Sequence, residues 1–154
     1  MTVESRLAEI GLTVPEIAAP VASYVPAVRS GNLVFTSGQL PMLNGEIPMT
    51  GKVGAEVTPD EAAELAKICA LNAIAAVKGL IGDLEMVVRV VKVTGFVASA
   101  PGFTSQPIVV NGASAVLGQA FGDAGVHARS SLGVASLPLD APVEVELIVE
   151  VLGS

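Results

Sequence analysis

The sequence predicts an α+β protein in which a mixed β-sheet carries two helices on one face. The run Thr58–Glu61 supplies an N-cap hydroxyl, a proline in the first turn and a glutamate at the third position, which together begin a long helix. A valine-rich run at Met86–Val97 is the best candidate for a central strand, and glutamates alternate with aliphatic residues in Val143–Val151. With the other segments, these give the element order β, β, α, β, α, β, β.

The chain is expected to form one domain over residues 1–154, because this length buries a sizeable core without disulfides or metals. Residues 1–22 form an amino-terminal arm packed on the domain, with a helical pattern at Thr2–Leu12 and a connector rich in proline and alanine. Two short strands follow at Tyr24–Val28 and Leu33–Ser37. The Ser-Gly-Asn sequence between them indicates a tight hairpin.

The long helix should end at Gly79 or Gly82, and a second helix should cover about Gln106–Ala124. Two strands, at about Ser130–Ser136 and Val143–Leu152, complete the chain. The apolar face of the long helix follows the helical period, and its members are Ala62, Leu65, Ala66, Cys69, Ala73, Val77 and Leu80.

The last strand has one acidic face, because Glu144, Glu146 and Glu150 alternate with aliphatic residues. The aliphatic face is expected to lie under the helices. No further segment is left to cover the acidic face, so either water or another subunit must cover it. If the last two strands pair as a hairpin, Arg129 joins the glutamates on that face.

Arg129 is a permanent charge in the segment His127–Pro138, which otherwise has the pattern of a buried strand. A guanidinium there needs an anionic partner, and its planar fork matches a carboxylate or a phosphate. Either Glu144 or Glu146 neutralises it, which would make Arg129 structural, or a ligand does. His127 could lie on the same side as Arg129, although a lone histidine is more often a bystander.

The composition limits the classes of function. A net charge of −7 and a pI of about 4.5 argue against nucleic-acid binding, which requires a basic surface. Only 15% of the residues are charged and 51% are hydrophobic, so we expect the chain to associate with copies of itself. One cysteine and one histidine leave no internal disulfide and no metal site built from these residue types. The lack of a signal-peptide pattern or a long apolar run predicts a soluble, cytoplasmic protein.

Four stretches carry a recognisable pattern: GNLVFTSGQLP (Gly31–Pro41), VKVTGFV (Val91–Val97), ARSSLGVASLP (Ala128–Pro138) and VEVEL (Val143–Leu147). They resemble the reactive intermediate deaminase family, also called the Rid or YjgF-type family, with the older labels translation initiation inhibitor and endoribonuclease L-PSP. The extended arm is similar to that of a less characterised branch. The resemblance implies a chorismate-mutase-like fold, a homotrimer with interfacial ligand clefts, and a hydrolase without a cofactor. Its best-studied members hydrolyse enamines and imines such as 2-aminoacrylate to 2-oxo acids and ammonia, a form of metabolite damage control.

The resemblance also implies roles for single residues. Arg129, followed by Ser130, pairs with the substrate carboxylate, and Glu144 positions or activates water. Tyr24 matches a family tyrosine. The other residues implied to bind substrate are Ser37, Gly38, Asn111 and Ser131, of which Ser131 replaces a frequent cysteine.

These residue types suit the reaction. An imine carbon beside a carboxylate is already electrophilic, so an enzyme need only fix the acid, bring water within about 3 Å and move one or two protons. Arg129 would fix the acid, Glu144 would accept the proton, and Tyr24 or a backbone carbonyl would hold the nitrogen. Alternatively, Glu144 is a solvated strand residue and Tyr24 closes a strand edge. Pro26 and His127 depart from the family pattern.

Three functions therefore remain open from the sequence. The first is a deaminase of enamines and imines. The second is a non-catalytic trimer that binds or senses small carboxylates such as 2-oxo acids. The third is a ribonuclease or translation inhibitor, which the acidic charge and the lack of a basic groove disfavour.

Overall fold

The computed structural model describes residues 1–17 and 22–153, and all elements below lie within them. The helices and strands are α1 (Val3–Ala8), β1 (Ala27–Ser30), β2 (Leu33–Thr36), α2 (Pro59–Ile81), β3 (Val87–Ala98), α3 (Gln106–Phe121), β4 (Ala128–Val134) and β5 (Val143–Val151). The predicted order of strands and main helices is confirmed.

The five strands form one mixed sheet in the order β1-β2-β5-β3-β4. β3 and β4 are parallel, and the other neighbouring strands are antiparallel. The α+β class with a mixed sheet is therefore confirmed. The valine-rich β3 is an interior strand, paired with β5 on one side and β4 on the other, as predicted for a central strand. β5 inserts between β2 and β3 and lies in the middle of the sheet. The expected hairpin of the last two strands is wrong, since β3 separates them.

Helix α2 begins as the sequence predicts. Thr58 Oγ1 accepts a hydrogen bond from the Glu61 amide at 3.1 Å, and the Thr58 amide donates to Glu61 Oε1 at 2.9 Å. The helix ends at Gly82, which has a φ of 85°. Its predicted apolar face is buried except for Leu80, and burial raises the pKa of the Cys69 thiol well above its ordinary value.

Both main helices pack on one face of the sheet and against each other. They cover the aliphatic side of β5, whose buried residues are Val143, Val145, Leu147, Val149 and Val151. At the helix contact, Gly112 of α3 lies so close to α2 that a Cβ atom there would overlap the Ala63 carbonyl oxygen. α3 ends at Phe121, before the predicted Ala124, because Gly122 (φ 59°) starts a 3₁₀ turn.

The amino-terminal segment contacts the main helices. Val3 and Leu7 are buried in the core, and the Arg6 guanidinium donates to the Ala120 carbonyl of α3 at 2.9 Å. Glu4 pairs with Lys78 of α2 at 3.1 Å. Residues 18–21 of the predicted arm lie outside the described residues.

Among residues 1–17 and 22–153, no helix combines the length and the apolar character that crossing a bilayer requires.

Candidate functional site

The sheet separates the two groups of residues that the sequence analysis singled out. Arg129 is in register with Val93 of β3, and Val93 is in register with Leu147 of β5. Val93 and Leu147 are buried under the helices, and residues in register share a face, so Arg129 belongs to the helix-covered face. Glu144, Glu146 and Glu150 alternate with the buried residues of β5 and lie on the open face. The expectation that Arg129 joins these glutamates is wrong.

β4 is an edge strand, and its residues are half-buried or exposed rather than buried. From this edge Arg129 reaches α3. Its Nη1 donates to Asn111 Oδ1 at 2.8 Å and to Ser114 Oγ at 3.1 Å, and its Nη2 donates to the Pro107 carbonyl at 3.3 Å. All three acceptors are neutral.

Arg129 keeps an unneutralised charge within the described part of the chain. The ion pairs found there join Lys52 to Asp140, Lys67 to Glu64 and Lys78 to Glu4, and none involves Arg129. A guanidinium has five N–H donors, so its Nε–H and one Nη2–H have no acceptor among residues 1–17 and 22–153. These two donors lie on adjacent nitrogens, the arrangement that binds a carboxylate with two hydrogen bonds.

The residues next to Arg129 divide between the two faces. Ser131 shares the face of Arg129, and its Oγ is buried without a hydrogen-bond partner in the described structure. A buried hydroxyl without a partner is costly, so an outside ligand or water is its natural acceptor or donor. Ser130 is in register with Thr94, which is in register with Glu146, so Ser130 lies on the open face.

Glu144 is half-buried on the open face, beside Phe96 of β3 in register. Burial, and secondly the charge of Glu146, raise the pKa of Glu144 above the ordinary glutamate value. Gly38 faces this carboxylate so closely that a Cβ atom at position 38 would overlap Glu144 Oε2. The glycine that was predicted to bind substrate thus leaves the space that the Glu144 side chain occupies.

Ser37 is the chain neighbour of Gly38 and contacts the segment next to Tyr24. β1 begins at Ala27, so Tyr24 precedes the strand instead of opening it, and its side chain is 44% exposed. The Ser37 hydroxyl donates to the Val25 carbonyl at 2.6 Å, and the Ser37 amide donates to the Pro26 carbonyl at 2.8 Å. Ser37 therefore fixes the segment that carries Tyr24.

One chain thus keeps two groups of these residues apart, and each group is named for the role that the family resemblance implies. The carboxylate half-site comprises Arg129, Asn111, Ser114 and Ser131, along α3 and the β4 edge. The water half-site comprises Glu144, Gly38, Ser37 and Tyr24, and lies on the other side of the sheet and at its β2 end. Of the residues in contact with Arg129, sequence reasoning missed Ser114, although Asn111 and Ser114 are spaced i and i+3 on one helix face.

Comparisons with known proteins place the chain among similar folds. Residues 4–151 match the family model described as "YjgF/chorismate_mutase-like, putative endoribonuclease". Protein TCP17 of Trypanosoma cruzi is 43% identical over 149 residues, which cover 96% of this chain and 93% of that protein. The crystal structure of protein Atu1372 from Agrobacterium tumefaciens is 47% identical with a TM-score of 0.89, over 97% of this chain and 92% of that one. The crystal structure of E. coli TdcF with bound serine is 27% identical with a TM-score of 0.61, over 88% of this chain and 93% of that one.

Proposed function

The chain belongs to the YjgF/chorismate mutase-like family, and we propose that it hydrolyses reactive enamines and imines of small 2-imino acids to 2-oxo acids and ammonia. The observation that carries this proposal is Arg129, whose charge is held by neutral acceptors and whose remaining donors are unoccupied in the described structure. Such an arginine is suited to a carboxylate supplied by a ligand. The serine in the TdcF structure is a ligand with a carboxylate, which supports the same choice.

Glu144 is the proposed base. Its raised pKa brings the carboxylate closer to the basicity that proton transfer near neutral pH requires. Water would add its oxygen to C2 of the protonated imine while Glu144 accepts one proton of that water and the C=N electron pair becomes the nitrogen lone pair. Glu144 then returns this proton to the nitrogen of the carbinolamine. The C2–N bond breaks as the hydroxyl oxygen forms the carbonyl, ammonia leaves, and loss of the hydroxyl proton to solvent gives the 2-oxo acid. Tyr24 is proposed to hold the nitrogen, with Ser37 fixing its segment.

The proposed site needs two copies of the chain, because one chain keeps its half-sites on different sides of the sheet. The open face offers a surface for such association. Besides Glu144 and Glu146, this face carries the apolar side chains of Val28, Phe35, Ile148, Phe96 and Leu132. Three of them are well exposed in one chain: Val28 at 52%, Phe35 at 37% and Leu132 at 45%. We propose a homotrimer in which the carboxylate half-site of one copy meets the water half-site of the next.

Light scattering at micromolar concentration is expected to give three times the 15.5 kDa chain mass. Phe35→Glu should lower the mass towards one chain, because it places a charge between the apolar side chains of Val28 and Ile148. Leu80→Glu is the matched control, since Leu80 is similarly exposed at 43% but lies on α2. A wild-type mass of one chain would contradict both the trimer and the interfacial site.

Arg129→Lys and Arg129→Ala are both expected to weaken the binding of pyruvate or 2-oxobutyrate, by roughly 10-fold or more. Lysine keeps the charge but cannot form two parallel hydrogen bonds from one planar group. Isothermal calorimetry on the folded trimer measures the change, with Arg29→Lys, on the edge strand β1, as the control. Unchanged affinity in Arg129→Ala would make the arginine structural.

A second function is a non-catalytic binder or sensor of small carboxylates. One observation favours it. Asn111 and Ser114 hold Arg129 in place, and neither belongs to the water half-site, so carboxylate binding does not require the catalytic residues. The ribonuclease suggested by the family description is less suited to this chain, because a net charge of −7 opposes RNA binding.

A further inference from the structure

His127 is the single histidine of the chain, and both of its ring nitrogens are engaged. Nδ1 lies 2.6 Å from the Gly125 carbonyl oxygen, and Nε2 lies 2.9 Å from Ser114 Oγ. Ser114 Oγ is in turn 3.1 Å from Nη1 of Arg129. A chain of hydrogen bonds therefore leads from the backbone before β4, through the imidazole and α3, to the guanidinium.

The direction of these hydrogen bonds follows from the first of them. A carbonyl oxygen only accepts, so the proton between His127 and Gly125 belongs to Nδ1. In the neutral imidazole, Nε2 then has no proton and is an acceptor. The Ser114 hydroxyl donates its single proton to Nε2, which leaves the oxygen lone pairs for Arg129.

Arg129 needs such support because it lies on an edge strand and has a long side chain. Holding an arginine in one rotamer costs side-chain entropy. Asn111 and Pro107 supply two of the three acceptors, and both belong to the first half of α3. Ser114 is the third acceptor, and a serine hydroxyl in a helix can turn towards more than one acceptor. His127 Nε2 holds it in one orientation.

We propose that His127 is a positioning residue which, through Ser114, orients Arg129 for a carboxylate ligand. His127 does not touch the ligand in this arrangement. Its Nδ1–H tautomer, set by the Gly125 carbonyl, fixes the Ser114 hydroxyl as a donor to imidazole and an acceptor from arginine. No carboxylate lies within 4 Å of His127 among the described residues, so hydrogen-bond direction rather than an ion pair carries the effect.

Binding measurements test this inference, which rests on the proposed role of Arg129 in carboxylate binding. Ser114→Ala and His127→Phe are each expected to weaken pyruvate binding by roughly 5- to 10-fold. In the deaminase assay they should raise KM by a similar factor and leave kcat within about 2-fold, because the carboxylate contact is the same in the ground state and the transition state. Ser114→Thr, which keeps a hydroxyl, and His127→Gln, which keeps an acceptor near the Nε2 position, should restore most of the affinity.

Nitrogen NMR on the ligand-free protein tests the role of His127 separately from the proposed function, because it needs no substrate. The chain has one histidine, so the spectrum contains a single set of imidazole signals. The neutral ring is expected to show a protonated Nδ1 and an unprotonated Nε2, and both Ser114→Ala and Arg129→Lys should shift the Nε2 resonance. A protonated Nε2, or an Nε2 signal unmoved by both variants, would overturn the positioning role. If wild-type protein binds no 2-oxo acid although both variants shift the Nε2 resonance, the proposed function is wrong, while the hydrogen bonds that join His127, Ser114 and Arg129 are confirmed.

Discussion

Glu144→Gln is expected to lower the rate of imine hydrolysis by roughly 100-fold or more, the usual scale for losing a general base. The trimer and much of the 2-oxo-acid affinity should persist, because glutamine is nearly isosteric and removes only the charge and the proton-accepting oxygen. The loss should appear in kcat. Because the base works in its ionised form, wild-type kcat should also rise as the pH rises through the raised pKa of Glu144, and the variant should lack this rise.

Glu150→Gln is the matched control, since Glu150 lies on the same face of β5 but is in register with Leu33 and Arg89, away from Gly38. Its kcat should stay near that of the wild type. If Glu144→Gln were as active as the wild type, the reaction would survive but its base would be another group. If both glutamate variants lost activity equally, the effect would be the charge of the whole face.

Gly112→Ala is expected to destabilise the fold by about 1–3 kcal/mol or more, although alanine is the better helix former. The added Cβ would overlap the Ala63 carbonyl oxygen, so α3 must move away from α2. Because α3 carries Asn111 and Ser114, carboxylate binding should weaken as well. Urea denaturation measures the free energy of unfolding.

Gly118→Ala is the matched control in the same helix. Nothing lies within 4 Å of a Cβ built at Gly118, so only the higher helix propensity of alanine affects the stability. The free energy of unfolding of this variant should rise by about 0.5–1 kcal/mol. Opposite signs for the two substitutions are the expected outcome. Equal stabilisation by both would mean that α2 and α3 are not in close contact at Gly112.

The elements of the fold could be predicted because their signals are local. The capping box at Thr58, the 3.6-residue period of α2 and the alternation in β5 depend on neighbours within a few residues. The order of the strands in the sheet could not be predicted from such local patterns. β5 pairs with β2 and β3, which lie about 110 and 50 residues earlier in the chain, and no local pattern encodes that insertion.

The wrong prediction that β4 pairs with β5 led to the wrong prediction that Arg129 lies beside Glu144 and Glu146. A β4–β5 hairpin would place Arg129 with the glutamates, whereas β3 lies between these strands and Arg129 is on the helix-covered face. The need of Arg129 for an anionic partner did not depend on that topology. Only the family resemblance indicates a role for Gly38, because its contact with Glu144 joins the ends of two neighbouring strands that are far apart in the sequence. Ser114 carried a helical-spacing signal with Asn111 that was not used.

The proposed deaminase activity can be measured on imines that an amino-acid oxidase generates in the assay mixture. Semicarbazide captures the imine that escapes hydrolysis. Added wild-type protein is expected to lower semicarbazone formation and to raise 2-oxo acid and ammonia in proportion to its concentration, and Arg129→Ala is expected to abolish the effect. Semicarbazone formation that is the same with and without protein, across amino acids with several different side chains, would contradict the deaminase function and leave the carboxylate binder in its place.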